Sequence, residues 1–269
     1  MADHELSPAP QKRQQLDELI AGGQIMSIWD HLAELRSRLM KAFVAVLVCF
    51  GAALAGAEQI IDFLKVPLIQ VLPPSANALH FTGPLDVFMV DMKVAMLVGV
   101  VMACPFWLFQ FWKFFEPALY PRERKFILPS IIASITVFCL GVAFCYLVIL
   151  PLSLRYLIGL GLEVGTPIIT IKDYISLLTV LIFGFGFVFE TPVLIVLLAL
   201  LDLITVEQLT QHRRFIIVAI LIVSAMLVPP DPVSLVALAI PVYAMYEIAI
   251  VVIRMVKRKP PAVDSKGKP

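Results

Sequence analysis

Residues 174–201 read YISLLTVLIFGFGFVFETPVLIVLLALL, and Glu190 is the only charged side chain in this segment. An α-helix rises about 1.5 Å per residue, so roughly 20 apolar residues cross a hydrocarbon core of about 30 Å. The segment therefore predicts a membrane-spanning helix that carries one acidic residue. Because a charged group inside a bilayer is energetically unfavourable, Glu190 is also the first candidate functional residue.

The composition of the whole chain agrees with a membrane location. Of its 269 residues, 60% are hydrophobic and 15% are charged, and the mean hydropathy is +0.94. Soluble domains average about 45–50% apolar and about 25% charged residues. The 21 basic and 20 acidic residues leave a net charge of +1, so no nucleic-acid partner is expected. The composition predicts an all-α integral membrane protein whose immediate surroundings are the lipid bilayer.

Long runs with few or no charges predict a bundle of six transmembrane helices. The runs cover residues 42–57, 94–112, 126–154, 174–201, 215–228 and 233–253. The fifth run reaches only about 21 Å as a helix. Pro229-Pro230-Asp231-Pro232 follows it directly and indicates a tight turn. This pattern predicts a hairpin of short fifth and sixth spans that thins the bilayer locally.

The basic residues predict the orientation of the spans. Most of the 21 Lys and Arg residues lie outside the apolar runs, on the side that the positive-inside rule makes cytoplasmic together with both termini. We expect residues 1–26 to form a cytoplasmic tail, residues 27–258 the membrane domain, and residues 259–269 a disordered cytoplasmic tail. Charges ahead of the first run indicate an uncleaved signal anchor. Residues 58–84 and 151–173 are the predicted outer loops.

No recognisable catalytic or metal-binding motif occurs in the sequence. It contains no Gly-rich phosphate loop, HExxH, GxSxG or Cys/His cluster. Enzyme activity, a cofactor and a metal site are therefore not expected, and the four cysteines are interpreted as small buried hydrophobic residues. Gly184-Phe185-Gly186 is interpreted as a point of close helix packing rather than a cofactor-binding loop.

Three acidic residues need an explanation beyond composition. Glu190 is either a functional group or a protonated carboxyl that hydrogen-bonds a neighbouring helix. Glu34 precedes Arg38 by one helical turn, which favours a salt bridge. Glu123 lies between two arginines, which favours a surface ion pair. Together, Glu34 and Glu123 could receive two guanidinium groups in bidentate geometry at the cytoplasmic membrane surface.

Charged residues near the span ends are interpreted as structural. Lys93 is expected to pair with Asp91 or to extend its amine toward the membrane surface. Glu247 is expected to pair helices or to lie at the interface. Asp231, between two prolines, is expected to cap the start of the sixth span.

Several short motifs occur in a fixed order along the chain. They are HLAELR at 31–36, VPL at 66–68, FFEPALYPRER at 114–124, FVFETP at 187–192, and PPD at 229–231 followed by Ile240-Pro241 and Tyr246-Glu247. In order and topology they resemble the TatC family, the polytopic core of the bacterial twin-arginine protein translocase. The resemblance spans residues 27–258. Glu116 departs from the family pattern, because it adds a second carboxylate beside the PAL segment.

The resemblance implies a receptor that binds the twin-arginine signal peptides of folded precursor proteins. It further implies a concave six-helix bundle in the bacterial inner membrane, the partners TatA and TatB, and several TatC copies in one complex. Export would draw on the proton-motive force, since the chain has no nucleotide site. The residue roles that the resemblance implies are signal-peptide binding for Glu34, Arg36, Phe114 and Glu123, an intramembrane partner contact for Glu190, and outer-loop shaping for Pro67 and Asp231.

A different class of function remains open from the residues alone. In a proton-coupled secondary transporter of a small solute, Glu190 and Pro192 would form the site at a discontinuous helix. Two observations disfavour this alternative: the sequence shows no repeated halves, and its polar residues concentrate on the cytoplasmic surface. An intramembrane enzyme is disfavoured because no nucleophile and base are visible.

Overall fold

The computed structural model describes residues 28–72, 80–119, 124–165, 168–228 and 232–256. Its regular elements in these ranges are helices. In chain order the α-helices are α1 (Ile28–Ala55), α2 (Ala57–Leu64), α3 (Val66–Ile69), α4 (Pro84–Met102), α5 (Cys104–Phe115), α6 (Ile127–Phe144), α7 (Leu150–Val164), α8 (Ile171–Phe189), α9 (Thr191–Leu200), α10 (Val206–Gln211), α11 (Arg213–Leu227) and α12 (Pro232–Val256). Shorter helical turns are the 3₁₀ turns Glu116–Ala118 and Arg124–Phe126 and the π-helical turn Cys145–Ile149.

Several of these helices are long and apolar enough to cross a membrane. Four such stretches are Trp29–Ala55, Arg124–Leu162, Ile171–Leu200 and Ser234–Val256, and α4 with α5 makes a fifth when the bent pair counts as one span. α11, at the predicted fifth span, has 15 residues and is shorter than these. An all-α protein with several apolar spans is therefore confirmed, whereas the count of six spans stays a prediction.

The second predicted span consists of two helices. α4 and α5 meet at Ala103 and bend by 53°. Pro105 lies in the first turn of α5. Because proline has no N–H and its ring collides with the carbonyl four residues earlier, a straight helix cannot pass through it. The bend carries the aromatic end of α5 to the start of α1, where Phe114 meets His31.

The third predicted span is longer than the sequence indicates. Helix continues from Arg124 to Leu162, so the second outer loop does not begin at Pro151 as predicted. Pro151 lies in the first turn of α7, directly after the π-helical turn. In that turn the N–H of Leu150 donates to the carbonyl of Cys145. The wider turn lets the chain accept a residue without an N–H and remain helical.

The prediction of a short sixth span is wrong. α12 has 25 residues and includes Pro241. It also continues through Glu247 and Arg254, because a charged side chain does not interrupt the backbone hydrogen bonds of a helix. The predicted run, which ends before Arg254, therefore underestimates the helix. Of the predicted hairpin, only α11 is short.

The core lies where α4, α6, α8 and α12 pack together. Phe138 and Phe185 are fully buried there. A Cβ on Gly186 would lie 2.7 Å from the ring of Phe138, and one on Gly184 would lie 2.5 Å from the side chain of Leu227. The interpretation of the GxG sequence as a point of close helix packing is thus confirmed.

The segments that the sequence predicts as outer loops meet at one end of the bundle. Two backbone hydrogen bonds join them, from His80 N–H to the Ile169 carbonyl at 3.2 Å and from Ile171 N–H to the His80 carbonyl at 3.1 Å. The hydroxyl of Tyr174 donates to the carbonyl of Leu64 at the end of α2. Pro67 opens α3 and is buried. The outer loop after α1 is thus partly helical and tied to the start of α8.

Candidate functional site

Glu34 lies near the start of α1 and pairs with Arg38 one turn later. Arg38 donates from Nε to Oε1 at 2.8 Å and from a terminal nitrogen to the same oxygen. The Arg38 and Glu34 side chains are 22% and 20% exposed. The second carboxylate oxygen, Oε2, is buried and has no hydrogen-bond partner among the described residues. The predicted salt bridge is confirmed, and it engages only one oxygen of the carboxylate.

The end of α5 completes the surroundings of Glu34. The ring of His31 stacks on that of Phe114, with centroids 4.3 Å apart and 19° between the planes. An open groove of about 210 Å³ lies beside this stack, and Arg38 and Gln110 are its two polar lining residues. We call this group of ion pair, aromatic stack and groove the cytoplasmic patch, after the side of the membrane that the sequence predicts for it. Two helices that are far apart in sequence therefore build it together.

Of the other residues considered for the cytoplasmic patch, the structure describes Arg36 and Glu116 but not Glu123. Arg36 is exposed on α1. Glu123 lies outside the described residues. Glu116, the additional carboxylate, pairs with Lys113 at 2.8 Å. Glu116 thus has a local partner in the same helical segment.

Glu190 occupies the junction between α8 and α9, immediately before the Thr191-Pro192 pair that opens α9. Its side chain is 7% exposed. Ser134 of α6 hydrogen-bonds the carboxyl, and the same hydroxyl oxygen accepts from Trp112 Nε1 at 2.9 Å. The Oε1 atom of Glu190 is buried without a partner in the described part of the chain. A hydroxyl of a neighbouring helix therefore interacts with the Glu190 carboxyl, and the choice between the two interpretations of Glu190 stays open.

Glu247 and Lys93 have well-defined partners. Glu247 accepts from Arg213 at 2.8 Å and from Tyr243 at 2.9 Å. This ion pair joins α11 to α12, so the prediction of a helix-pairing role is confirmed. Lys93 donates to the hydroxyl of Ser176 at 2.7 Å instead of pairing with Asp91 as the sequence suggests. The reason is that α4 packs along α8, whose hydroxyl comes within reach of the amine.

Of the predicted outer-loop residues, only Pro67 can be placed. It is buried in the first turn of α3, next to the fully buried Leu68. Asp231 lies outside the described residues, as does the tight turn predicted around it.

The cysteines provide one correction. Cys104 and Cys145 are buried and Cys49 is intermediate, but Cys139 is exposed. Interpreting all four as buried is therefore wrong for Cys139. No group of His, Cys, Asp and Glu within the described ranges is arranged to hold a metal ion.

Sequence reasoning missed the residues that hold the two carboxylates in place. Ser134 and Trp112 were not singled out around Glu190, and His31 was not paired with Phe114. A buried indole N–H needs an acceptor, so a tryptophan and an isolated serine in apolar runs could have suggested such a bond. Which serine meets which tryptophan depends on helix packing.

The described helices define a multi-pass, all-α membrane protein with two incompletely paired carboxylates. The family model described as Sec-independent protein translocase protein (TatC) matches residues 30–241. The chain belongs to the TatC family, whose members are protein translocase components rather than enzymes.

Relatives of that name are similar over most of their length. The protein of Aquifex aeolicus (strain VF5) is 36% identical over 236 residues, which cover 87% of this chain and 97% of the relative. That of Desulforapulum autotrophicum is 35% identical, over 86% of this chain and 85% of the relative. That of Escherichia coli K12 is 35% identical, over 82% and 85%.

Solved structures show the same fold. A crystal structure of the twin-arginine translocase receptor TatC in DDM is similar with a TM-score of 0.73 and 36% identity, over 82% of this chain and 98% of the other. A second TatC receptor structure gives a TM-score of 0.71 and 35% identity, over 84% and 98%.

Proposed function

We propose that this chain is the receptor subunit of a twin-arginine translocase and binds the twin-arginine signal peptides of folded precursor proteins. Membership of the TatC family supports this proposal, as does the likeness to structures named twin-arginine translocase receptor. The observation that carries it is the Glu34 carboxylate, because Arg38 bonds one of its oxygens and the other has no partner among the described residues.

The unpaired oxygen of Glu34 suits an incoming arginine. A carboxylate can accept two parallel N–H bonds from one guanidinium. Arg38 engages Oε1, while Oε2 has no partner among the described residues. Because Oε2 is buried, a signal-peptide arginine reaches the carboxylate by displacing Arg38, and it can then bind both oxygens. A lysine ammonium is a point charge and cannot reproduce this fork, which gives a physical reason for an arginine pair.

We assign the second signal-peptide arginine to Glu123, which follows α5 in the predicted cytoplasmic loop. Phe114 supports the patch through its stack on His31. Arg36 is exposed on α1, and its proposed part in signal-peptide binding rests on the family resemblance.

The proposed receptor has six spans in a concave bundle, with both termini in the cytoplasm, and lies in the bacterial inner membrane. The distribution of Lys and Arg supports this orientation. With 15 residues, α11 reaches only about 22 Å, so the bilayer beside it must be thin. Residues 1–26 and 259–269 are the proposed cytoplasmic tails of the 27–258 membrane domain.

We further propose that TatA and TatB bind as single-span partners and that several copies of the chain assemble. Ser224 is the buried residue of α11, so the rest of this helix leaves apolar surface for a partner. Glu190 is the proposed polar contact within the membrane, and Pro67 and Asp231 shape the outer loops. The membrane potential supplies about 2.3 kcal/mol for each charge that crosses 100 mV.

Peptide binding to the full-length protein in lipid nanodiscs tests the receptor role. A fluorescent signal peptide with Arg-Arg is compared with its Lys-Lys version by anisotropy. We expect the wild type to prefer Arg-Arg and both Glu34→Gln and Glu123→Gln to remove the preference. Glu247→Gln is the matched control, because this carboxylate already has two partners.

Equal binding of both peptides by a monodisperse wild-type protein would contradict the receptor role. The alternative, a proton-coupled transporter of a small solute, would then be tested by solute uptake into proteoliposomes. Under that alternative, uptake depends on Glu190.

A further inference from the structure

An apolar groove runs along the outside of the bundle between α6, α9 and α12. Its volume is about 290 Å³, and Ser130 is the polar side chain among its described lining residues. It lies away from the cytoplasmic patch, which α1 and α5 form. The groove is therefore independent of the proposed signal-peptide site.

The length of the groove matches one leaflet of a membrane. Its lining residues extend from Phe126 to Val137 on α6 and from Val256 back to Met245 on α12. At about 1.5 Å per residue, each wall is about 16 Å long. A hydrocarbon core of about 30 Å has leaflets of about 15 Å. The groove thus begins at one membrane surface and ends near the middle of the bilayer.

Positive charge lies at the open end of the groove. The Nζ atom of Lys125 is 5.1 Å from the centroid of the Phe126 ring, which lines that end. Arg124 precedes it, and both side chains are exposed. Neither Arg124 nor Lys125 has an ion-pair partner in the part of the chain that the structure describes. An anionic group at the membrane surface would meet both charges.

We propose that the groove binds one acyl chain of an anionic glycerophospholipid whose phosphate lies against Lys125 and Arg124. A partner helix about 10 Å wide can lay only one face against the groove, whereas a single acyl chain is narrow enough to lie inside it. The acyl chain meets apolar surroundings both in the groove and in the bilayer. Selectivity therefore comes from the net charge of the headgroup. An anionic headgroup is attracted by the two basic side chains, whereas in a zwitterionic headgroup a cation offsets the phosphate.

Native mass spectrometry of the delipidated full-length chain tests the headgroup. The protein in neutral detergent is titrated with phosphatidylglycerol or phosphatidylcholine. We expect one phosphatidylglycerol to bind in preference to phosphatidylcholine. Lys125→Gln and Arg124→Gln should each weaken phosphatidylglycerol about fivefold and leave phosphatidylcholine unchanged. Arg214→Gln, which removes an exposed charge at the start of α11, is the control.

A second pair of variants tests the groove itself. Ala133 lines the groove and is exposed, so Ala133→Phe fills the space without disturbing the core. We expect it to remove the preference for phosphatidylglycerol, whereas Leu128→Phe, at an exposed position of α6 outside the groove, should preserve it.

The proposal is overturned if the two lipids bind equally or if Lys125→Gln and Arg124→Gln have no effect. It is also overturned if Ala133→Phe retains the lipid preference but releases a co-purified TatB, because the groove then holds a partner segment. None of these results bears on the proposed signal-peptide site, which the peptide titration tests separately.

Discussion

Glu34 and Glu190 are both carboxylates with one buried oxygen that has no partner among the described residues, yet their surroundings differ. Glu34 is held by the guanidinium of Arg38 on the same helix. Glu190 is held by the hydroxyl of Ser134 on a neighbouring helix, in the tightly packed interior. The partner of Glu34 is thus a charged group, whereas the partner of Glu190 is a neutral hydroxyl.

Because of this difference, we expect Glu34 to contribute to peptide recognition and Glu190 to helix packing. The partner of Glu34 is local and one-fifth exposed, so another guanidinium can replace it without moving a helix. The partner of Glu190 belongs to a hydrogen-bonded chain that also includes Trp112. Replacing Ser134 would disturb α5, α6 and α8 together. We therefore expect substitutions at the two sites to affect different measurements.

The largest expected effect concerns peptide affinity. A short peptide that carries Arg-Arg but lacks the apolar signal segment should lose about 10- to 100-fold affinity on Glu34→Gln, because a charge-assisted hydrogen bond contributes about 1.5–3 kcal/mol. Glu190→Gln should change this affinity less than about twofold. Anisotropy titration in nanodiscs measures both. Similar losses in the two variants would show that the sites are not separate.

Ser134→Ala should mainly reduce stability. It removes the partner of Trp112 Nε1 and of the Glu190 carboxyl, and buried polar groups without partners destabilise by about 1–2 kcal/mol. Unfolding in mixed micelles measures the effect. Thr136→Ala is the matched control on α6, because its hydroxyl is exposed and bonds the Ile132 carbonyl of its own helix. Equal stability of the two variants would contradict the prediction.

Phe114→Leu should weaken Arg-Arg peptide binding about two- to tenfold. The substitution removes the stack on His31 that joins α1 to α5, and aromatic pairs contribute about 0.5–1.5 kcal/mol. Phe114→Tyr keeps the ring and should bind like the wild type. If Phe114→Leu also binds like the wild type, the stack does not contribute to recognition. The same titration provides the measurement.

The smallest effect is expected at Glu247, whose two oxygens both have partners. Arg213→Gln should lower stability by less than about 1 kcal/mol, because the pair is substantially exposed to solvent. Peptide affinity should not change. Unfolding in mixed micelles at low and high salt measures the contribution, which salt should screen. A loss of peptide binding would place this carboxylate in the recognition site.

Periodicity and composition predicted the membrane class and the approximate place of each apolar helix, because hydrocarbon tolerates few charges. Helix ends were less predictable. Pro105 bends the second span, whereas the π-helical turn before Pro151 lets the helix continue. The sequence alone does not distinguish these two prolines. The sixth span was underestimated because Arg254 ends the predicted run but not the helix.

The sequence by itself determined the chemistry of the candidate site, since the Glu34–Arg38 pair follows from helical spacing and Glu190 is conspicuous in its apolar run. Tertiary structure alone decided which oxygen of each carboxylate is paired and that His31 meets Phe114. Contacts within one helix depend on neighbours three or four residues apart. Contacts between helices depend on bends and packing that involve the whole bundle.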